Sequence, residues 1–304
     1  MMKTKNLNIA LLLMGCVSWA QQDSQFTQYM YNTVNINPAY AGSRGMMSVF
    51  GLHRTQWVGL DGAPKTTAFS LNTPINNSRV GVGVSYINDR IGPTDDNTLS
   101  ADVSYTVPAS ETLKLSFGIK GSANLFSLDP SKLNPENAND PYLANFSSEF
   151  TPNIGAGVYL HSDKFYVGLS VPQFLEKYRY DDNSVEMGKT KMHYHLIGGY
   201  VFDINPDFKL KPAFLVKAVE GAPLQADLSL SGLYLEKFSL GAAYRWDAAW
   251  SAMAGFQVTD GLMIGYAYDR ETTQLKNFNS GSHEIYLRFE LFTRYSNLVT
   301  PRFF

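Results

Sequence analysis

Cysteine is almost absent from this chain: the only one among 304 residues is Cys16, close to the amino terminus. One cysteine cannot form a disulfide within the chain, so stability must come from packing and from the closure of secondary structure. The formal net charge is only −2, which gives no basic surface of the kind that binds nucleic acid. The sequence also lacks Pro/Ser-rich linkers and charge runs, and this favours one domain over two.

Long apolar runs are missing as well. After residue 20, no run approaches the roughly 18 apolar residues of a spanning helix, so a bundle of transmembrane helices is excluded. A transmembrane β-barrel stays possible, because only every second residue of its strands faces lipid. The mean hydropathy of such a barrel is ordinary, as it is here at −0.17.

Motifs of catalysis and metal binding are missing too. The sequence contains no G-x-S-x-G, and Gly81-Val82-Gly83 lacks the third glycine of a nucleotide loop, so glycine there relieves crowding or lets a strand bend. His193 and His195 share one face of a strand and could together contact a metal, but no third ligand has a clear place beside them. Two carboxylate pairs in predicted outer loops lack calcium-loop spacing: Asp95-Asp96 and Asp181-Asp182. We therefore expect no enzyme activity, no cofactor and no bound metal.

The first twenty residues are typical of a cleaved signal peptide. Lys3 and Lys5 form a basic start, residues 7–15 an apolar core, and residues 18–20 a small-x-small cleavage site. The apolar core is too short for a transmembrane anchor. A second interpretation is that residues 13–16 form a lipoprotein box, in which case the cysteine at its end would be lipidated and retained.

From Gly45 onward, apolar and polar residues alternate with a period of two, which predicts antiparallel strands. A soluble sandwich would bury the apolar face, whereas a membrane barrel would turn it outward to lipid. Segments of about 9 to 12 residues match tilted membrane strands better than globular ones. Aromatic side chains also recur at segment ends, as an interfacial girdle needs: Tyr86, Tyr105, Tyr200, Tyr234, Trp246, Trp250 and Tyr268. We predict an all-β transmembrane barrel.

The connections between strands strengthen this interpretation. Every second connection is tight, whereas the others are mostly longer and include Arg54–Pro64, Arg90–Asp96, Ser127–Glu149, Gln173–Thr190 and Glu271–Ser280. Short periplasmic turns and long outer loops are the layout of outer-membrane barrels. About fourteen strands are predicted, at residues 45–53, 65–73, 79–89, 97–107, 112–126, 150–161, 164–172, 191–202, 207–218, 224–234, 237–246, 249–258, 262–270 and 281–292.

The polar face of the predicted strands carries charges of both signs. Mixed signs indicate cross-strand pairs that fill the lumen, and they argue against a single-sign ion filter. The residues are Lys114, Lys120, Lys209, Lys211, Lys217, Asp102, Asp227, Arg245, Asp269, Glu284, Arg288 and Glu290.

The stretch before the first strand, Gln22–Gly42, has neither strand nor helix periodicity and is rich in Gln, Asn and Tyr. We expect it to fold back as a plug in the lumen or at its periplasmic mouth. Its polar side chains would bond to lumenal charges, while Phe26, Tyr29, Met30 and Tyr31 would fill volume. The predicted divisions are thus a signal peptide (1–20), an N-terminal periplasmic or lumenal segment (21–44), the barrel (45–292) and a periplasmic tail (293–304).

Four stretches carry a family resemblance. Residues 25–32 (QFTQYMYN) and 37–42 (NPAYAG) resemble the start of the PorP/SprF family of the type IX secretion system. Residues 50–69 look like the first hairpin of that family, with R-x-Q-W followed by G-x-P, and residues 301–304 are similar to its aromatic ending. The middle of the chain agrees only in strand layout, and the family defines no catalytic residues.

The resemblance implies an outer-membrane barrel with periplasmic termini in a Gram-negative bacterium of the Bacteroidota type. The implied partners are other type IX secretion components and a secreted surface adhesin with a C-terminal sorting domain, which the barrel would deliver or hold during gliding or adhesion. Aromatic residues in the predicted outer loops are candidates for the interface: Trp57, Tyr142, Phe146, Phe150, Tyr178 and Tyr180. The same residues could instead pack the loops together. The alternative function is a channel for small or hydrophobic solutes.

Overall fold

A computed structural model describes residues 25–76, 79–133, 148–180 and 186–291. Within these ranges, side chains are described except at residues 177–190. The predicted signal peptide and the predicted C-terminal tail lie outside these residues. In the part of the chain that is described, no helix is long and apolar enough to cross a membrane.

Strands dominate the described residues. In chain order they are β1 Met47–Thr55, β2 Lys65–Pro74, β3 Val80–Ile91, β4 Thr94–Pro108, β5 Lys114–Leu128, β6 Glu149–His161, β7 Phe165–Val171, β8 Lys177–Tyr180, β9 Glu186–Thr190, β10 His193–Tyr200, β11 Phe202–Asn205, β12 Phe208–Val219, β13 Gln225–Tyr234, β14 Phe238–Arg245, β15 Ala249–Gln257, β16 Leu262–Glu271 and β17 Ser282–Leu291. Short helical turns lie at Tyr29–Tyr31, Thr33–Ile36, Pro38–Tyr40, Pro130–Lys132 and Gln274–Asn277.

The main sheet closes on itself. Consecutive strands pair antiparallel, β1 pairs with β17, and β10 pairs with both β7 and β12. β10 and β11 both pair with β12 and occupy one position in the wall, so the barrel has fourteen strands. The predicted number and architecture are confirmed, and the sandwich alternative is wrong. β8 and β9 form a separate hairpin within the connection from β7 to β10, which the sequence pattern had predicted only as a loop.

The two faces of the barrel wall differ as the alternation predicts. On β4, Leu99 and Val103 point outward and are 57% and 47% exposed, whereas Asp102 and Ser104 point inward and are buried. A globular sheet would bury the apolar face, because exposing it to water is costly. The outward face therefore suits lipid, and Tyr105 and Trp250 lie on it near opposite ends of the wall.

The two ends of the barrel have different connections. At one end, the short-turn rim, the connections β2–β3, β4–β5, β6–β7, β11–β12, β13–β14 and β15–β16 have two to five residues each. At the other end, the long-loop rim, β1–β2, β5–β6, β7–β10 and β16–β17 are joined by nine residues or more, whereas β12–β13 and β14–β15 are joined by five and three. The predicted long connection at Arg90–Asp96 is wrong, since β3 and β4 continue to a tight turn at Gly92-Pro93. The extension is held by Asp95, which accepts from Arg90 Nε at 2.7 Å and from Asn88 Nδ2 at 2.6 Å.

A charge on the outward face tests the membrane assignment. We expect Val103→Arg to lower the free energy of unfolding by about 2–4 kcal/mol, because this position is near the middle of a lipid-facing strand. Urea titration of the barrel in lipid vesicles measures the change. Thr112→Arg in an exposed short turn is the control and should have little effect. Equal effects at the two positions would contradict a lipid-facing wall.

Candidate functional site

The lumen of the barrel contains the chain's own amino-terminal part. Residues 25–46, here called the lumen segment, run inside the wall as short helical turns joined by bends. Pro38 begins the third turn, where its fixed φ suits a helical start, and the Asn37 side chain accepts a hydrogen bond from Ala39 N at 3.0 Å. Gly42 then takes a φ of +69°, a conformation that favours glycine, and the chain bends toward β1.

Aromatic and sulfur-containing side chains of the lumen segment are buried inside the barrel. The structure places Phe26, Tyr29, Met30 and Tyr31 inside the barrel, each 9% exposed or less. The Tyr31 ring stacks on Tyr286 of β17 with 4.7 Å between ring centroids. Volume that would otherwise hold water is occupied along this part of the lumen.

Inward-facing glycines let the segment approach the wall closely. A Cβ on Gly118 would lie 2.2 Å from the backbone nitrogen of Ala39, and a Cβ on Gly81 would lie 2.1 Å from the carbonyl oxygen of Ala41. Both distances are shorter than any real contact of a Cβ. Glycine is therefore required at these wall positions by the segment, which agrees with the predicted relief of crowding at Gly81.

An ion cluster near the long-loop ends of β1, β16 and β17 holds the start of the segment. Arg54 contacts Asp269 at 2.7 Å and Glu284 at 3.1 Å, and all three side chains are buried. The Thr27 hydroxyl donates to Asp269 at 2.7 Å, while the backbone N–H groups of Thr27 and Gln28 donate to Glu284 at 3.0 and 2.9 Å. The carboxylates thus bind both the wall and the segment.

A second ion pair lies beside this cluster. Arg245 Nε donates to Asp227 at 2.8 Å, and the Gln25 side-chain amide donates to the same carboxylate at 2.6 Å. Asp227 therefore links β13 and β14 to the first described residue of the lumen segment.

The middle of the segment is bound through its backbone. The Lys120 ammonium lies 3.2 Å from the carbonyl oxygens of both Val34 and Asn35, and 3.4 Å from the Asp102 carboxylate. Ser170 of β7 donates to the carbonyl of Ile36 at 2.8 Å. The wall therefore binds main-chain groups of the segment here.

The end of the segment is bound near the short-turn rim. Arg44 forms a buried ion pair with Glu290 of β17. Ser104 of β4 donates to the carbonyl oxygen of Ala41 at 2.7 Å, and Gly42 N donates to Asn72 of β2 at 3.3 Å. These contacts fix the point at which the chain leaves the lumen and enters β1.

The predicted cross-strand charge pairs are confirmed. Two of them lie directly opposite each other in the strand register and are buried: Asp102 with Lys120, and Asp227 with Arg245. The mixed signs on the polar face were the signal that found them. The buried pair of Arg54 with Glu284 is not among the predicted ones, because the sequence pattern places Arg54 at the start of the first long connection, whereas it lies within β1. The backbone contacts of Lys120 and Glu284 with the lumen segment gave no such signal, because a main-chain acceptor or donor has no sequence signature.

The predicted loop aromatics are only partly described. Trp57 lies in the β1–β2 loop, where Nε1 donates to Glu271 at 2.8 Å and its backbone N–H donates to Ser282. These contacts are of the kind that pack loops together. Phe150 lies within β6 and points outward with Ile154, so its placement in a loop is wrong. Tyr142 and Phe146 lie outside the described residues, and the side chains of Tyr178 and Tyr180 are not described.

The candidate metal ligands form no metal site within the described residues. His193 and His195 share the inner face as predicted, with 6.3 Å between ring centroids, but the described residues contain no cluster of three metal-ligating side chains. Asp95 is used in the β3–β4 extension, and Asp181-Asp182 lies outside the described residues. At the long-loop rim, hydrogen bonds from Ser131 lower the pKa of Asp129.

Solved structures with the same overall shape are bacterial barrels. The Ralstonia pickettii toluene transporter TbuX matches with a TM-score of 0.52 and 10% identity over 84% of this chain and 92% of that chain. The monoaromatic hydrocarbon channel CymD matches with a TM-score of 0.51 and 12% identity over 88% of this chain and 94% of that chain. The Acinetobacter baumannii outer membrane protein Omp33 matches with a TM-score of 0.48 and 11% identity over 81% of this chain and 98% of that chain. Identities this low show a shared fold alone.

Sequence comparison gives a second kind of match. The model of the family described as type IX secretion system membrane protein PorP/SprF matches residues 18–289. No curated protein sequence matches this chain significantly.

A bulky residue at Gly118 tests the packing of the lumen segment. We expect Gly118→Val to displace residues near Ala39, because its side chain needs the space that the segment occupies. Chymotrypsin should then cleave the aromatic-rich segment, which the parent barrel protects. Gly121→Val on the same strand is the control, since a Cβ there meets no atom within 4 Å. Equal protection in both variants would contradict the packing.

Removal of the Lys120 ammonium tests the buried contacts in the middle of the lumen segment. Lys120→Met leaves the buried Asp102 carboxylate without its ion partner, so we expect a loss of about 3–5 kcal/mol in unfolding free energy. Lys209→Met is the matched control, because Lys209 pairs with the exposed Glu236. An exposed pair contributes about 1 kcal/mol or less. Urea unfolding in vesicles measures both, and similar losses would refute the role of burial.

Proposed function

Because the chain belongs to the PorP/SprF family of type IX secretion system membrane proteins, we propose that it is an accessory barrel that delivers or anchors one surface adhesin. The adhesin would bind through its C-terminal sorting domain and support gliding motility or adhesion. The barrel itself is an outer-membrane protein associated with type IX secretion, so other components of that system are among its partners.

The observation that carries the proposal is the filled lumen. The lumen segment contacts wall residues near the long-loop rim, in the middle and near the short-turn rim. A lumen occupied in this way does not suit the passage of a polypeptide or a solute. We therefore propose that the protein acts by binding partners at its surfaces, and we propose no enzymatic activity.

The long-loop rim is the surface best built for a protein partner. β4 and β5 each have fifteen residues, more than the roughly 9–11 that a tilted strand needs to cross a bilayer. Their ends at this rim carry a polar network, in which Asn124 contacts both Asp96 and Thr98. The β8–β9 hairpin adds further surface on the same rim. As in other bacterial barrels, we place this rim outside the cell and the short turns in the periplasm.

Deletion of the gene tests the accessory role. One adhesin should disappear from the cell surface while other substrates of the system are still secreted. Mass spectrometry of the surface and culture fluid measures both. Loss of every secreted substrate would instead indicate a general component of the machine.

Replacement of the β8–β9 hairpin tests the proposed surface more directly. A barrel in which a short Gly/Ser turn replaces residues 177–190 should reach the outer membrane and fail to retain the adhesin. Replacement of the short turn 110–112 is the control and should leave retention intact. Normal retention in the hairpin variant would contradict a role for this surface.

Conductance distinguishes the proposed function from the channel alternative. The intact barrel should be silent in planar bilayers, because the lumen segment closes the pore. Deletion of residues 25–34 should produce open steps. A steady open pore in the intact protein would favour a solute channel, and silence in both proteins would refute the closing role of Phe26, Tyr29, Met30 and Tyr31.

A further inference from the structure

The contacts of the lumen segment follow a fixed order along the barrel axis. Its last residues, Ala41 to Arg44, contact Ser104 and Glu290, each a few residues from the short-turn end of its strand. This end is covalently continuous with β1, which begins at Met47 on the same rim. The segment therefore enters the lumen at the short-turn rim.

The first described residues lie at the opposite end. Thr27 contacts Arg54, the penultimate residue of β1, and Glu284, the third residue of β17. Gln25 contacts Asp227, the third residue of β13. All three wall positions are at the long-loop ends of their strands. The two ends of the described segment thus lie at opposite rims of the wall.

From this direction we infer that the amino-terminal end of the lumen segment is presented at the long-loop rim, on the same face as the outer loops. In this proposal residue 25 lies at the outer face, whereas the sequence predicts the start of the segment on the periplasmic side. Gln25 itself is only half-buried, in contrast to the buried Phe26 and Thr27 that follow it. A protein domain that binds this face meets the first described residues of the segment in addition to the loops.

The presented end has a defined chemical setting. The carboxylates of Asp227, Asp269 and Glu284 around it are buried and paired with the guanidinium groups of Arg54 and Arg245, so they hold the segment in place. A partner held here contacts one end of the segment only, since the other end remains joined to β1.

Single-cysteine labelling in intact cells tests the inference. The parent chain has one cysteine, Cys16, within the predicted signal peptide. The parent protein therefore serves as the unlabelled control. The probe is a poly(ethylene glycol)-maleimide too large to cross the outer membrane. We expect Gln25→Cys to be labelled in intact cells, as is Asp61→Cys in the long β1–β2 loop. Ser110→Cys in a short turn should be labelled only after lysis.

A pattern in which position 25 behaves like position 110 and not like position 61 would overturn the inference. A second measurement tests the proximity of positions 25 and 227 with a reagent small enough to enter the lumen. In a Gln25→Cys/Asp227→Cys variant, a bismaleimide should cross-link the two positions and change the migration of the denatured barrel. Failure to cross-link in a double variant that is normally folded would also overturn the inference. Neither readout depends on the adhesin, so failure here is distinguishable from failure of the proposed function.

Discussion

A sheet in the hydrocarbon core of a membrane must close on itself, because lipid offers no partner to the backbone N–H and C=O groups of an open edge. Closure through β1 and β17 meets this requirement, and every other feature follows from it. The closed wall has an inner face that lipid never touches. Polar and charged residues can therefore occupy every second position without touching hydrocarbon, provided that they find partners in the lumen.

Those partners come from two sources. Charged residues on neighbouring strands pair directly across the register, as Arg54 does with Glu284. The lumen segment supplies the rest, through backbone groups that reach Glu284 and Lys120 and through side chains such as Thr27. A buried charge that lost its partner would cost several kcal/mol. The wall and the segment therefore stabilise each other.

Much of the fold could be predicted from alternation alone. The two faces of β4 were separable because Leu99 and Val103 alternate with Ser100 and Asp102, and this pattern is local to one strand. The rims were predicted less well. The turn at Gly92-Pro93 looked like a long loop because the polar residues around it resemble loop composition, whereas Arg90 and Asp95 pair only once the two strands are already side by side. The β8–β9 hairpin was missed for the same reason.

The sequence by itself determined the period of two, the number of wall strands and the mixed charge of the inner face, because each is a property of residues close together along the chain. Only the tertiary structure decided which charges meet, why Gly118 must lack a side chain, and in which direction the lumen segment runs. These depend on contacts such as Thr27 with Glu284, which are separated by most of the chain. A main-chain group bound by a distant carboxylate leaves no pattern in the sequence, so the path of the segment could be known only from the folded barrel.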